Sequence, residues 1–226
     1  MSPGSLLKKI SMFEALSIKD REELAQLLRY QTIKKGEILF RKGDEGTALY
    51  LIKSGRIRIV LKVRLEDEMT LAVLSDGDFF GEMSLLDGLP RSADASAHED
   101  TELYVLNRTD FIRFLMHSEH AMKAILYTLS TRLRKTDDLL GETAFLNISS
   151  RLAKRLVELA ETRGIHQAGS MHVELTLTQK ELASLVGVSR ESINKELKRW
   201  RARNLVATSR NRLIITDLAA IRKHVR

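Results

Sequence analysis

A change of hydrophobic period near residue 119 is the feature that most restricts how this chain can fold. Upstream of it, short stretches alternate apolar and polar residues with a period of two. In Ile57–Leu65, for example, every odd position is Ile, Leu or Val. Downstream, residues 119–149 keep a helical period that no proline interrupts. We therefore expect a sheet-forming segment followed by one long helix.

The sheet-forming segment predicts a compact antiparallel barrel or roll. Residues 12–30 are expected to form short helices before it. The polar turn at residues 66–68 indicates a hairpin, because alternation resumes after it. The other alternating positions are Met69, Leu71, Val73, Ala93, Ala95, Ala97, Leu103 and Val105. Seven glycines separate the short predicted strands, which is typical of such a roll: Gly36, Gly43, Gly46, Gly55, Gly77, Gly81 and Gly88.

The long helix carries a heptad seam, with apolar or Thr residues spaced alternately by four and three. The seam residues are Met122, Leu126, Leu129, Leu133, Thr136, Leu140 and Thr143. If residues 119–149 are helical throughout, the helix is about 45 Å long, which exceeds what a small roll covers. The seam predicts pairing with the same helix of a second subunit, and hence a homodimer. Packing against the protein's own sheet is the alternative.

Positive charge is concentrated in the last third of the chain. Residues 150–226 hold sixteen Lys and Arg against seven Asp and Glu, whereas the rest of the chain is nearly neutral. A basic module on a near-neutral body predicts a polyanionic partner for that module. A merely solvated basic surface is the alternative.

Residues 79–93 have the composition of an anion-binding loop. Gly81 opens a short helical turn directly after a predicted strand, and such a turn exposes backbone N–H groups. The carboxylate of Glu82 can accept hydrogen bonds from sugar hydroxyls. Arg91, whose backbone is fixed by the preceding Pro90, can pair with a phosphate through its planar guanidinium.

Residues 178–199 predict a helix-turn-helix. Thr178–Glu181 is a capping box, and Gly187 stands at the expected tight turn. Ile193 and Leu197 give the second helix an apolar face. We expect DNA contacts from residues that start the two helices or lie on the exposed face of the second: Thr178, Gln179, Ser189, Arg190, Glu191, Asn194, Lys195 and Lys198. Leu205–Thr216 is expected to form a two-stranded wing, after a first helix at Arg151–Thr162.

These motifs carry a family resemblance. Residues 79–93 resemble the phosphate-binding cassette of cyclic-nucleotide-binding domains, and residues 188–195 resemble the recognition helix of the Crp/Fnr family of bacterial transcription regulators. Residues 143–148 resemble the hinge of that family. The resemblance implies an α+β protein with a cyclic-nucleotide-binding β-roll in residues 1–117. A dimerisation helix and hinge would follow in 118–149, and a winged helix-turn-helix domain in 150–226.

The resemblance also implies a ligand site. Its residues would be Gly81, Glu82, Met83, Ser84, Arg91, Ser92, Thr136 and Asp137. Cyclic AMP is the favoured ligand, although Asp137 departs from the Ser or Asn that the family places there. The alternatives are cyclic GMP, cyclic di-GMP, haem in the same fold, or a regulator that needs no ligand. The resemblance further implies a palindromic TGTGA-like DNA site, and contact between RNA polymerase and the loop at residues 163–171.

Several other functions are not expected. The chain has no cysteine, so disulfides, thiolate metal sites and cysteine-held clusters are excluded, and a cytoplasmic location fits. It contains none of the common nucleotide-hydrolase, serine-hydrolase or zinc-protease motifs, and we expect neither an enzyme nor a bound cofactor. No apolar run long enough for a membrane span or a secretory signal is present. His117 and His120 are expected to be solvated rather than to bind a metal.

Overall fold

The computed structural model describes residues 2–14, 16–62, 68–163, 165–166, 173–209 and 212–225. The chain divides into two compact units. The first comprises residues 1–61 and 71–135, and the second comprises residues 62–70 and 136–226. The predicted turn at 66–68, the loop at 163–171 and the wing tip at 210–211 fall largely outside the described residues.

The N-terminal part is a roll of two four-stranded sheets flanked by helices. Its elements are α1 (Pro3–Leu7), a 3₁₀ turn (Ser11–Phe13), α2 (Ile18–Leu27), β1 (Arg29–Ile33), β2 (Ile38–Phe40), β3 (Ala48–Ser54), β4 (Ile57–Lys62), β5 (Glu68–Leu74), β6 (Phe79–Phe80), α3 (Glu82–Asp87), β7 (Asp94–Ala97), β8 (Thr101–Asn107), α4 (Arg108–His117) and α5 (Glu119–Phe145). The strand orders are β1-β8-β3-β6 and β2-β7-β4-β5. Strand β8 runs antiparallel to β1 and β3, and β7 to β2 and β4. The predicted antiparallel roll is confirmed.

Two apolar clusters form the core of this unit. One lies between the two sheets and contains Ile52, Phe80 and Ala95. The other joins the first sheet to the N-terminal segment and to α4 and α5, and it includes Phe13 and Phe111. The short helices expected over residues 12–30 end at Leu27, because the chain enters β1 at Arg29 and pairs with β8.

The seam of α5 divides between two environments. Met122 and Leu129 pack against the core of their own unit, as the alternative interpretation of the seam expects. Leu126, Leu133 and Leu140 are instead 56%, 62% and 69% exposed. Within the part of the chain that the structure describes, three large apolar side chains on one helix are thus more than half exposed, which is typical of a helix that pairs with another.

The C-terminal unit is a winged helix-turn-helix. Its elements are α6 (Ile148–Arg163), β9 (Ile165–His166), β10 (Val173–Thr176), α7 (Gln179–Val186), α8 (Arg190–Ala202), β11 (Val206–Ser209), β12 (Arg212–Ile215) and α9 (Leu218–Arg222). The strand order is β11-β12-β10-β9. Its core surrounds Trp200, the largest fully buried side chain.

The helical period over residues 119–149 does not continue as one helix, and its break falls within residues 143–148, where the family resemblance implies a hinge. Helix α5 stops at Phe145, and α6 begins at Ile148 rather than at Arg151. The side chain of Asn147 accepts a hydrogen bond from the backbone N–H of Ser150 at 2.9 Å, which caps the new helix. A polar cap can start a helix within a stretch whose apolar period runs on, and the period alone does not reveal it.

Candidate ligand-binding and DNA-binding sites

Gly81 starts the cassette in a backbone conformation that requires glycine. It lies between β6 and α3 with φ of +86°, in the left-handed region. A Cβ atom added there would lie 2.7 Å from Nη1 of Arg91 and 3.1 Å from the carbonyl oxygen of Ala48. The backbone angle therefore strongly favours glycine, and a side chain would also require Arg91 to shift.

Arg91 is buried beneath the cassette. It is 4% exposed, and it donates to the carbonyl oxygens of Gly81 at 2.6 Å and Ala48 at 2.8 Å. Its guanidinium carbon lies 4.3 Å from the ring centre of Phe40. Burial lowers the pKa of this guanidinium, although nearby Tyr50 and Glu82 oppose that shift. Within the described residues, the Nε atom is buried without a hydrogen-bond partner.

Glu82, the first residue of α3, is held by a residue of α5. It is 1% exposed, and its Oε1 accepts a hydrogen bond from Nη1 of Arg132 at 2.5 Å. Arg132 also donates from Nη2 to the carbonyl oxygen of Phe79, at 2.5 Å. The other carboxylate oxygen, Oε2 of Glu82, is buried and has no partner within the described residues.

The remaining predicted cassette residues differ in exposure. Ser84 is 3% exposed and packs so closely on Gly46 that a Cβ added to Gly46 would overlap Ser84 Cβ. Met83 is 46% exposed, and its sulfur lies 3.6 Å from the hydroxyl of exposed Ser92. Gly81, Glu82, Ser84 and Arg91 are thus brought together.

Thr136 and Asp137, the other two predicted site residues, belong to the second compact unit. Both are exposed on α5, beyond residue 135, where the first compact unit ends. Their part in the ligand site stays a prediction.

Sequence reasoning missed three parts of this site. Arg132 sits one position before the seam residue Leu133, and on a long amphipathic helix such an arginine is indistinguishable from a solvated one. In the sequence, Gly46 is one of seven glycines between predicted strands, and nothing beside it indicates its close approach to Ser84. The stacked rings of Tyr50 and Phe80, whose centres are 5.2 Å apart, lie beside Phe40 and form an aromatic wall near Arg91. No sequence pattern indicates that these three rings meet, because Phe40, Tyr50 and Phe80 lie on separate strands.

The helix-turn-helix has the predicted local geometry. Thr178 and Glu181 form a reciprocal capping box at the start of α7. Gly187 ends α7 with φ of +70°, and the side chain of Ser189 caps α8. Ile193, Leu197 and Trp200 are buried, which fixes the face of α8 that turns toward the core.

The opposite face of α8 is exposed and basic. Arg190, Glu191, Lys195 and Lys198 are all exposed there. Asn194 is half-buried, and its Oδ1 has no partner among the described residues. The carboxylate of Glu196 is 7% exposed and accepts hydrogen bonds from Arg199 and from the indole of Trp200. Because that acidic group faces inward, the outer surface of α8 suits a polyanion.

The described residues contain no group of three or more His, Asp or Glu side chains placed to hold a metal ion. Within the same part of the chain, no helix is both long enough and apolar enough to cross a membrane.

Two family models match this chain, one over each of the two regions described above. Residues 30–118 match the cyclic nucleotide-binding domain, and residues 150–224 match the Crp-like helix-turn-helix domain. The chain is 34% identical over 191 residues to the cyclic AMP receptor protein of Thermus thermophilus, covering 84% of this chain and 85% of that protein. It is 28% identical over 221 residues to the CRP-like cAMP-activated global transcriptional regulator of Mycobacterium tuberculosis, covering 98% and 99%.

Solved structures show the same fold. A putative Crp/Fnr-family regulator from Eubacterium rectale has a TM-score of 0.82 at 22% identity, over 97% of this chain and 99% of that one. The c-di-GMP-responsive regulator CLP of Xanthomonas campestris has a TM-score of 0.80 at 24% identity, over 89% and 100%.

Proposed function

Because this chain belongs to the Crp/Fnr family, whose members are transcription regulators rather than enzymes, we propose that it is a homodimeric regulator whose sequence-specific DNA binding is controlled by a cyclic nucleotide. The observation that carries this proposal is the pair of unsatisfied groups in the cassette. Oε2 of Glu82 is a buried acceptor and Nε of Arg91 is a buried donor, and neither has a partner in the described residues. A buried polar group without a partner costs about 1–3 kcal/mol, so such a pair favours a ligand that satisfies both.

A sugar phosphate has the complementary chemistry. A ribose hydroxyl can donate to Glu82, and a cyclic phosphate can accept from Arg91 and from the backbone N–H groups at the start of α3. We propose that Gly81, Ser84 and Ser92 complete the phosphate contacts, with Met83 at the edge of the site. Thr136 and Asp137 of α5 would then contact the base.

Cyclic AMP is the ligand we favour. Two relatives of this chain are named for cyclic AMP, and a carboxylate at Asp137 can accept from the adenine amino group. The same carboxylate can accept from guanine, and one regulator of this fold is named for c-di-GMP. Cyclic GMP and cyclic di-GMP are therefore the competitors to test, together with haem and with a form that needs no ligand.

Helix α8 is the element we assign to the DNA major groove. Arg190 offers a two-pronged donor suited to guanine, and Glu191 can accept from a cytosine amino group. In the family such a pair reads a TGTGA-like half-site, so a two-fold dimer would bind a palindrome. Lys195 provides a single ammonium donor without the guanidinium fork, and we expect looser base discrimination there. Contact with RNA polymerase and a cytoplasmic location complete the proposal.

Calorimetry of the purified full-length protein tests the ligand site. We expect cyclic AMP to bind at one site per subunit more tightly than cyclic GMP or cyclic di-GMP. Arg91→Ala should weaken that binding by about 2 kcal/mol or more. Arg41→Ala, which removes an exposed arginine from the neighbouring loop, is the control. Because Arg91 also holds two carbonyl groups, circular dichroism must first show that the variant is folded.

Three results would contradict the ligand assignment. Unchanged affinity in folded Arg91→Ala would remove this residue from the site. Tighter binding of another nucleotide, or a haem band in the visible absorption spectrum, would replace cyclic AMP. Fluorescence anisotropy with a palindromic TGTGA duplex, with and without cyclic AMP, then tests whether the ligand controls DNA binding.

A further inference from the structure

Arg155 connects three helices of the C-terminal unit. It lies in the middle of α6 with its side chain 17% exposed. Its Nη2 atom donates to Oε2 of Glu142 on α5 at 2.8 Å, and its Nε atom donates to the carbonyl oxygen of Leu185 on α7 at 3.3 Å. Its Nη1 atom donates to Glu158, one turn further along α6, at 2.7 Å.

Glu142, on α5, is the carboxylate at one end of this connection. Its side chain is 10% exposed in the last turns of α5, and each of its two oxygens lies next to a different cation. Lys154 contacts Oε1 at 2.6 Å and Arg155 contacts Oε2 at 2.8 Å. A largely buried carboxylate is stable only when it is paired, so the end of α5 is tied to α6.

The other end of the connection is the C-terminus of α7. The last carbonyl groups of a helix have no partner within that helix, and they attract cations. Arg155 donates to Leu185 there, and Arg151 donates from Nη1 to the carbonyl oxygen of Val186 at 3.3 Å. Only the turn at Gly187 separates these carbonyls from the recognition helix α8. The two arginines therefore fix the helix-turn-helix from the side of α6.

We propose that Arg155 is a positioning residue that holds the helix-turn-helix at a set orientation on the end of α5, and thereby sets the spacing of the two recognition helices in the dimer. This inference rests on the proposed function, because it presupposes a homodimer that reads a palindrome. Helix α5 carries both the exposed seam and the proposed base contacts, so any rearrangement of α5 reaches α7 through Glu142 and Arg155.

Binding to a palindrome and binding to a single half-site place different demands on the position of the helix-turn-helix. A palindrome is bound tightly only when both recognition helices reach their half-sites at once, since the second contact is then intramolecular. A duplex with a single half-site makes no such demand. Loosening the helix-turn-helix should therefore weaken binding to the palindrome and leave single half-site binding unchanged. A variant that merely unfolds the domain would lose both.

Glu142→Gln tests this, with Glu158→Gln as its matched control. Both variants remove one carboxylate partner of Arg155, but Glu158 lies on the same helix as Arg155 and its side chain is 46% exposed. By fluorescence anisotropy in the presence of cyclic AMP, Glu142→Gln should bind the palindrome about fivefold or more weakly than the wild type. It should bind the single half-site within about twofold of the wild type, and Glu158→Gln should match the wild type on both duplexes. Unchanged affinity of Glu142→Gln for the palindrome, or an equal loss on both duplexes, would overturn the proposal.

A measurement without DNA tests the positioning role of Arg155 independently of the proposed function. Trp200 is the only tryptophan and is buried in this unit, so its fluorescence shows whether each variant is folded. Hydrogen exchange over residues 179–188 should be faster in Glu142→Gln than in Glu158→Gln. If the wild type does not prefer the palindrome to random DNA, the proposed function fails. Equal exchange in the two variants would overturn the positioning role of Arg155 in either case.

Discussion

Arg132 on α5 holds Glu82 at the start of α3, and with its second nitrogen it also holds the carbonyl group of Phe79 in the preceding strand. One side chain of the long helix thus fixes both the strand and the helix that flank Gly81. Since Glu82 is 1% exposed, removal of its partner leaves a buried carboxylate without compensation.

Replacement of Arg132 should therefore destabilise the β-roll. We expect Arg132→Ala to lower the free energy of unfolding by about 1–3 kcal/mol, a value kept modest because the arginine side chain is 32% exposed. Urea unfolding followed by circular dichroism measures this change. Arg113→Ala is the control, because that arginine is 67% exposed and its ion pair with Asp110 spans 3.7 Å. Equal unfolding curves for the two variants would show that the Arg132 contacts contribute little.

Gly46→Ala should disrupt the cassette where Ser84 and Arg91 pack against this glycine. The added methyl group would overlap Ser84 and lie 3.3 Å from Cζ of Arg91. Overpacking of this kind costs about 1–3 kcal/mol, and we expect both the stability and the affinity for cyclic AMP to fall. Thermal unfolding and calorimetry measure the two effects. Gly4→Ala, where nothing lies within 4 Å of the added atom, should leave the affinity unchanged and should not lower the stability, because alanine favours the helix that contains this position. Wild-type affinity in folded Gly46→Ala would mean that the cassette rearranges freely.

Leu133→Glu should prevent dimerisation. Leu133 lies at the centre of the seam and is 62% exposed in one chain, so in a dimer the substitution would bury an unpaired carboxylate. Size-exclusion chromatography with light scattering should show a monomer or an aggregate. Arg134→Glu introduces the same side chain one position off the seam and should remain dimeric. A monomeric wild type at micromolar concentration would refute pairing along α5.

Arg190→Ala should impair base recognition rather than general DNA affinity. We expect a loss of about 1–3 kcal/mol on the TGTGA palindrome, with little change on random DNA. Lys198→Ala should weaken binding to the palindrome and to random DNA by similar amounts. It should also reduce the slope of log affinity against log salt concentration by about one, as loss of a phosphate contact does. Anisotropy titrations at several salt concentrations compare the two variants on both duplexes. Equal losses for Arg190→Ala on both duplexes would identify it as a phosphate contact, and recognition would then belong to other residues.

Glu102 should make the stability of the roll pH-dependent in acid. Hydrogen bonds from Lys53, Tyr30 and Ser54 lower its pKa from 4.5 to about 2. A carboxylate with a depressed pKa in the folded state contributes stability that is fully present above about pH 4.5 and is lost as the pH falls through about 2. In urea unfolding, Glu102→Gln should therefore be less stable than the wild type at pH 6, and the difference should shrink toward pH 2. A difference that is constant over this range would exclude the proposed titration.

The features that sequence alone determined are those whose causes lie within a few residues. The two partners of the capping box, Thr178 and Glu181, lie three positions apart, and the left-handed turn at Gly187 needs only one residue. The apolar periods of the strands and of α5 are likewise local, because each residue's face follows from its neighbours' spacing. These signals correctly predicted the roll, the long helix and the helix-turn-helix, whereas the part of Gly81 and Arg91 in a ligand site stays a prediction.

The tertiary structure decided which distant groups meet. Glu82 and Arg132 are separated by 50 positions in sequence, and Arg91 and Ala48 by 43, so no local pattern joins them. Arg91, Arg132, Arg151 and Arg155 each donate to a backbone carbonyl group. Because every residue carries the same carbonyl group, such an acceptor leaves no mark in the amino-acid sequence. Only packing determines which carbonyl lies within reach of each arginine.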